Sequence, residues 1–183
     1  MNQLVPLTGE PPALDLVNTR PAGADLISTP DGLAAWLALQ GDRVPQPEPG
    51  TLTVDDLAPV HAVRDHAAAA IDHARKGERP PTASLEGLAD AQRRAPAIKR
   101  PAWDGTAVTA TADRTGPYGV CLAAHLAEAA VALLTDPAIG RIRSCEAADC
   151  TMLFLPAHPR RRWCSAARCG NRMRVARYYE RHK

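Results

Sequence analysis

Four of the five cysteines stand in the spacing Cys145-x4-Cys150-x13-Cys164-x4-Cys169. Two close pairs separated by a hairpin-sized spacer suit a tetrahedral zinc ion, because each pair offers two thiolates from one local turn. A closed four-thiolate shell leaves no position for water, so one such Zn2+ would be structural rather than catalytic. The x4 spacing is longer than the common two-residue knuckle. The competing readings are four unrelated cysteines, a redox pair or an iron–sulfur cluster. His158 lies in the spacer and could replace one thiolate, but with four cysteines at hand it reads as a solvated loop residue.

Around these cysteines the chain is dense in arginine. Arg160, Arg161 and Arg162 precede Trp163-Cys164, and Arg172 follows Cys169-Gly170-Asn171. On a final helix, Arg174, Arg177 and Arg181 fall within about 60° of one another at 100° per residue. Val175, Tyr178 and Tyr179 form a neighbouring face expected to pack on the metal core. A basic stripe of this kind suits a phosphate backbone or a major groove. The plainer reading is a solvated terminal helix whose last arginines suit its dipole, which leaves Arg160–Arg162 unexplained. Arg172, held close to the metal, is either a base-reading contact or a cation offsetting the −2 charge of the thiolate site.

Other polar groups carry less. Asp65, His66, Asp72 and His73 share a helix but lack any metal-ligand motif, and read as a solvated face. His125 and Cys121 lie on an apolar helix and read as core residues. Asn18, Thr19 and Arg20 directly follow a short apolar segment. They are the candidates for the edge of a small-molecule pocket, against the plainer reading of local capping. No phosphate-binding glycine loop, nucleophile elbow or other convergent catalytic set is present, so no enzyme is expected.

The elements that must position these residues are mostly helical. Ala13–Asn18 alternates and is expected as a short strand. Thr29-Pro30-Asp31 starts a helix to Gln40 that stops at Gly41. Val44–Gly50 is a Pro-rich loop. Thr53-Val54-Asp55-Asp56 resembles a capping box opening a long helix to about Lys76. A shorter helix covers Ala83–Arg94. Ala97–Trp103 and Thr106–Ala112 form a hairpin around Asp104-Gly105, expected as a type I′ turn. Pro117 opens a helix to Thr135, and short strands follow at Arg141–Ser144 and Met152–Leu155. The last helix runs from Ser165 or Cys169 to Tyr179. The predicted class is α+β: a mostly helical N-terminal body with a β-hairpin, then a small C-terminal zinc module of short hairpin plus basic helix.

Charge divides the chain in the same place. Of its 183 residues, the first 140 carry 11 basic and 17 acidic groups, whereas Arg141–Lys183 carries 11 basic and 3 acidic. An acidic body of residues 1–138 and a basic module of residues 139–183 suggest different partners. The 45% hydrophobic content supports a packed core, with aromatics at only 4%. The abundance of Arg, Ala and Pro suggests a GC-rich genome. No run of about 18 apolar residues predicts a transmembrane helix. The opening residues do not read as a secretory signal. The expected compartment is the cytoplasm, where thiols stay reduced and a cysteine cluster binds metal.

The residues Trp163-Cys164-Ser165 followed by Cys169-Gly170-Asn171-Arg172 resemble the CGNR zinc finger. Ala13-Leu14-Asp15-Leu16-Val17-Asn18-Thr19 is similar to the opening motif of the ABATE domain that usually precedes it. Pro156-Ala157-His158-Pro159 departs from the polar segment of relatives. The resemblance implies a stress-induced, bacterial-type transcription regulator binding duplex DNA, with an N-terminal body that senses an effector or mediates assembly. The alternatives are a zinc-stabilised protein-interaction module and an RNA-binding module.

Overall fold

Proline and backbone-capping carboxylates set the first turns of the chain. In the computed structural model, which describes residues 8–181, the expected strand at Ala13–Asn18 is instead a short helix, α1 (Pro12–Val17). Its start follows from Pro12 at the first helical position and from Asp15, whose carboxylate accepts from Gly9 N (3.0 Å) and Glu10 N (3.1 Å). Arg43 Nη2 reaches the same buried carboxylate at 2.6 Å. The apolar–polar alternation misleads because Ala13, Leu14, Asp15 and Leu16 are all buried, leaving no solvent face to set a period.

Helix α2 (Pro30–Gln40) begins where expected, with the Thr29 side chain accepting from Gly32 N at 3.1 Å. A single 3-10 turn at Val54–Asp56 carries the capping box, and α3 (Leu57–Ala74) continues from it. Helix α4 (Thr82–Arg94) follows, then a hairpin, then α5 (Tyr118–Thr135). Helices α3, α4 and α5 pack on one another, and α1 lies across α5 and α3. Asp56 ties the capping turn to α5 by accepting from Gly119 N at 2.7 Å. The backbones come so close there that a Cβ on Gly119 would lie 2.5 Å from Asp56 Cα.

The core contains Leu14, Leu16, Ile27, Trp36, Val63, Ile71, Leu88, Leu122 and Leu126. Within it, the buried guanidinium of Arg64 grips Asp25 through two bonds of 2.7 and 2.6 Å. By length and composition α5 could cross a membrane. It is nevertheless the central core helix, with Leu122, Leu126, Ala130 and Leu133 buried against α3 and α4.

Strands β1 (Ile98–Trp103) and β2 (Val108–Asp113) pair antiparallel, with Trp103 opposite Val108 and Ile98 opposite Asp113. The expected I′ turn on Asp104-Gly105 is not found. Type I′ needs positive φ at both central residues, and only Gly105 (φ 104°) has it. The turn is centred on Gly105-Thr106 and closed by Asp104 N donating to Ala107 O. Asp104 Oδ1 accepts from Thr106 N and Ala107 N, which shifts the turn by one residue.

A second, two-residue hairpin joins β3 (Arg143–Ser144) to β4 (Leu153–Phe154). Strand alternation splits its side chains between two cores. Leu153 belongs to the core of the helical body. Met152 and Phe154 belong to a separate cluster with Cys145, Ala147, Cys164 and Cys169. A π-helical turn (Ala166–Gly170) then leads into α6 (Asn171–Arg181).

Candidate metal centre and basic surface

Two tight turns bring the four cysteines together. Cys145 directly follows β3, where its N–H donates to Met152 O at 2.9 Å, and the chain turns back so that Cys150 N donates to Ala147 O. Cys164 precedes the π turn, which Ser165 caps by accepting from Arg168 N at 3.3 Å, and Cys169 lies on that turn. All four Sγ atoms fall within 4.8 Å of one another. The Cys150–Cys164 and Cys164–Cys169 sulfur separations are 3.7 and 3.6 Å. A tetrahedron with Zn–S of about 2.3 Å has edges of about 3.8 Å, so the donors fit zinc closely.

Electrostatics call for a divalent cation among these thiols. Burial and the neighbouring thiol sulfurs push the Cys164 thiol up, and burial pushes Cys169 up to about 11. Burial also works against ionising Cys145, but the N–H groups of Cys164 and Ala147 outweigh it and draw that thiol down. Four thiolates crowded in a mostly buried site need a divalent cation to offset their charge. The chain therefore carries one structural zinc site, made by Cys145, Cys150, Cys164 and Cys169.

The candidate arginines differ in what they meet. Arg161 turns inward: its guanidinium lies 4.4 Å from the Phe154 ring centre and donates to Trp163 O, Cys164 O and Glu10 Oε1. Arg162 is exposed but bonded to Glu146 at 2.6 Å and stacked near Trp163. Arg172 leans on the metal site, with Nη2 4.0 Å from Cys169 Sγ. Arg160 and Arg174 are exposed, and among the described residues neither meets a carboxylate. The side chains of Arg177 and Arg181 lie outside the described residues. The expected packing of Val175, Tyr178 and Tyr179 on the metal core is not found: they are 55%, 60% and 65% exposed. Met173 packs there instead, because only the first turn of α6 reaches the metal core.

The trio Asn18, Thr19 and Arg20 is engaged internally. Asn18 Nδ2 donates to Leu153 O and its Oδ1 accepts from Leu153 N, both at 2.8 Å. Thr19 Oγ1 donates to Leu16 O at 2.6 Å and accepts from Arg64 at 3.1 Å. Arg20 bonds Asp65 at 2.8 Å. A cleft of about 420 Å³ opens nearby, lined by Pro21 and Ala22 on the body and by Cys150, Arg168 and Arg172 on the module. None of the trio lines it.

Two residues of this region escape sequence reasoning. Glu10 joins body to module, accepting from Leu155 N at 2.8 Å and Arg161 Nη2 at 2.7 Å. No local pattern signals a bond between residues 151 apart. Arg168 has a signal, since it stands between Cys164 and Cys169 in the stretch already counted as basic.

Two family models match the chain. The ABATE model, described as "Putative stress-induced transcription regulator", matches residues 10–137. The CGNR zinc finger model matches residues 141–182. No curated protein matches the chain.

Proposed function

The chain belongs to the ABATE family and ends in a CGNR zinc finger, and from that premise we propose that it is a cytoplasmic regulator that binds duplex DNA through its zinc module. One observation carries the reading. The module concentrates 11 basic residues against 3 acidic ones, and Arg160 and Arg174 stand exposed on it, without acidic partners among the described residues. Such groups bind phosphates by releasing counterions, an interaction that is strong and insensitive to sequence. Arg160, Arg174, Arg177 and Arg181 are the proposed phosphate contacts, with Arg162 able to exchange Glu146 for a phosphate. Arg161 is omitted because its donors are spent inside the protein. Arg172 acts on the metal site through Cys169.

The acidic body serves as the platform that holds the finger. The bonds of Asn18 to Leu153 support a docking role for it, and those of Thr19 and Arg20 to Leu16, Arg64 and Asp65 support a role in bracing the body, rather than an effector pocket. The test is a salt titration of the zinc-loaded protein on random duplex DNA, beside single-stranded RNA of equal length. Duplex affinity should fall steeply with salt, and Arg174→Ala should flatten the slope by about one unit on all sequences alike. Absence of duplex binding at low salt would overturn the reading, and preference for single strands would replace it with RNA binding.

A further inference from the structure

The β1–β2 hairpin is the least covered element of the body. All twelve strand positions are exposed, including Ile98 (58%), Trp103 (66%) and Val108 (72%). Arg114 anchors its base to Ala95 O and Glu128. The strands otherwise pack chiefly on each other. A lone two-stranded ribbon is marginal in water and is made stable by further strands or by a covering element.

Its two faces and two edges are unlike. Opposite residues share a face, so Trp103, Val108, Pro101, Ala110, Lys99 and Ala112 lie on one side. That face is apolar but for one lysine. The other face carries Arg100 paired to Asp113 at 3.0 Å. Asp104 N donating to Ala107 O makes 104/107 a hydrogen-bonded pair. Antiparallel alternation then makes 103/108, 101/110 and 99/112 the pairs whose backbone groups point outward. On the β1 edge one of those positions is Pro101, which has no N–H, and its neighbours are Lys99 and Arg100. Proline and basic residues are how proteins block an edge against further strands. The β2 edge presents Val108, Ala110 and Ala112, with no proline and no charge among them. It is open, and the ribbon's near-neutral charge does not suit a polyanion.

We propose that the β2 edge pairs antiparallel with the β2 edge of a second copy of this chain, forming a four-stranded sheet across a two-fold axis at Ala110. In this register each Ala110 faces the partner's Ala110, and Val108 faces the partner's Ala112. The outward N–H and C=O groups of all three residues are thereby bonded. Small side chains allow the close approach, and no like charges meet. The two apolar faces join, so that Val108 of one copy lies beside the partner's Ala112, with Trp103 one strand further out. A symmetric pairing of one surface with itself is the commonest way that chains form dimers. It does not depend on what the zinc module binds.

The experiment is analytical ultracentrifugation of the zinc-loaded full chain at micromolar concentration. The wild type should sediment at twice the chain mass of 19.5 kDa. Ala110→Lys and Ala110→Glu each place like charges across the axis and should weaken the dimer by at least about tenfold. Ala110 is exposed, so their melting at monomer concentrations should match each other. Mixing the two variants should restore a dimer through opposite charges. A wild type that stays monomeric would overturn the proposal, as would a dimer indifferent to both substitutions. A mixture that fails to re-pair would overturn the register.

Discussion

Replacing Asn18 by alanine tests how the zinc module is held. The Asn18 amide makes two 2.8 Å bonds to the backbone of Leu153. Asn18 is 2% exposed and Leu153 8% exposed. The truncation leaves a buried N–H and a buried C=O without partners, each costing about 1–3 kcal/mol. Partial access of water reduces the sum, giving a loss of about 3 kcal/mol. For a chain of this length that corresponds to about 6–12 °C in melting temperature. The assay is calorimetry of the zinc-loaded protein, with zinc content measured in parallel. Asn18→Ala should keep one zinc per chain, because no bond runs from Asn18 to a cysteine, yet should melt well below the wild type. A melting temperature within a degree or two of the wild type would refute the reasoning and return Asn18 to the pocket-edge role.

Three further outcomes follow from the geometry. A chelator should unfold the module and also lower the melting temperature of the body, because Ile142 and Leu153 contribute to the body core; a chain truncated at Asp136 should likewise unfold cooperatively but at lower temperature. The Arg64 guanidinium beside Asp25 holds that carboxyl at about 2, below its unfolded value of about 3.9, so the pair contributes on the order of 2 kcal/mol above about pH 4 and loses it as pH falls toward 2. The stability gap between wild type and Asp25→Asn, read from urea melts, should narrow across that window, and a gap independent of pH would count against the pair. Arg161→Ala should reduce stability and zinc retention, whereas Arg174→Ala should change only DNA affinity and its salt slope; the reverse assignment would show that the two roles were exchanged.

The metal site was legible because its information is local. Paired cysteines declare a thiolate cluster whatever the rest of the chain does, and the capping residues Thr29 and Thr53 declare their helices in the same way. The failures all concern information held elsewhere in the fold. Ala13–Asn18 reads as a strand because burial on every side erases the helical period. Arg161 resembles its neighbours in sequence, and only Glu10 and Phe154 distinguish it by drawing its donors inward. Asn18 is a docking residue because β4 arrives 135 positions later. The exposure of Val175 and Tyr179 was equally hidden, since helical periodicity defines a face without saying what meets it.

Asn18 and the Glu10 carboxylate meet the finger through the peptide groups of Leu153 and Leu155 and through the Arg161 side chain, and the Ile142 and Leu153 side chains enter the body core. Every polypeptide has peptide groups, so this joint asks for a shape and little for particular letters. A finger whose β4 keeps its path, apolar residues at 142 and 153 and an arginine at 161 would seat on the same body with its exposed residues rewritten. The junction thus separates what must stay constant from what can be exchanged, and grafting a foreign finger at residue 139 is the engineering route that it opens.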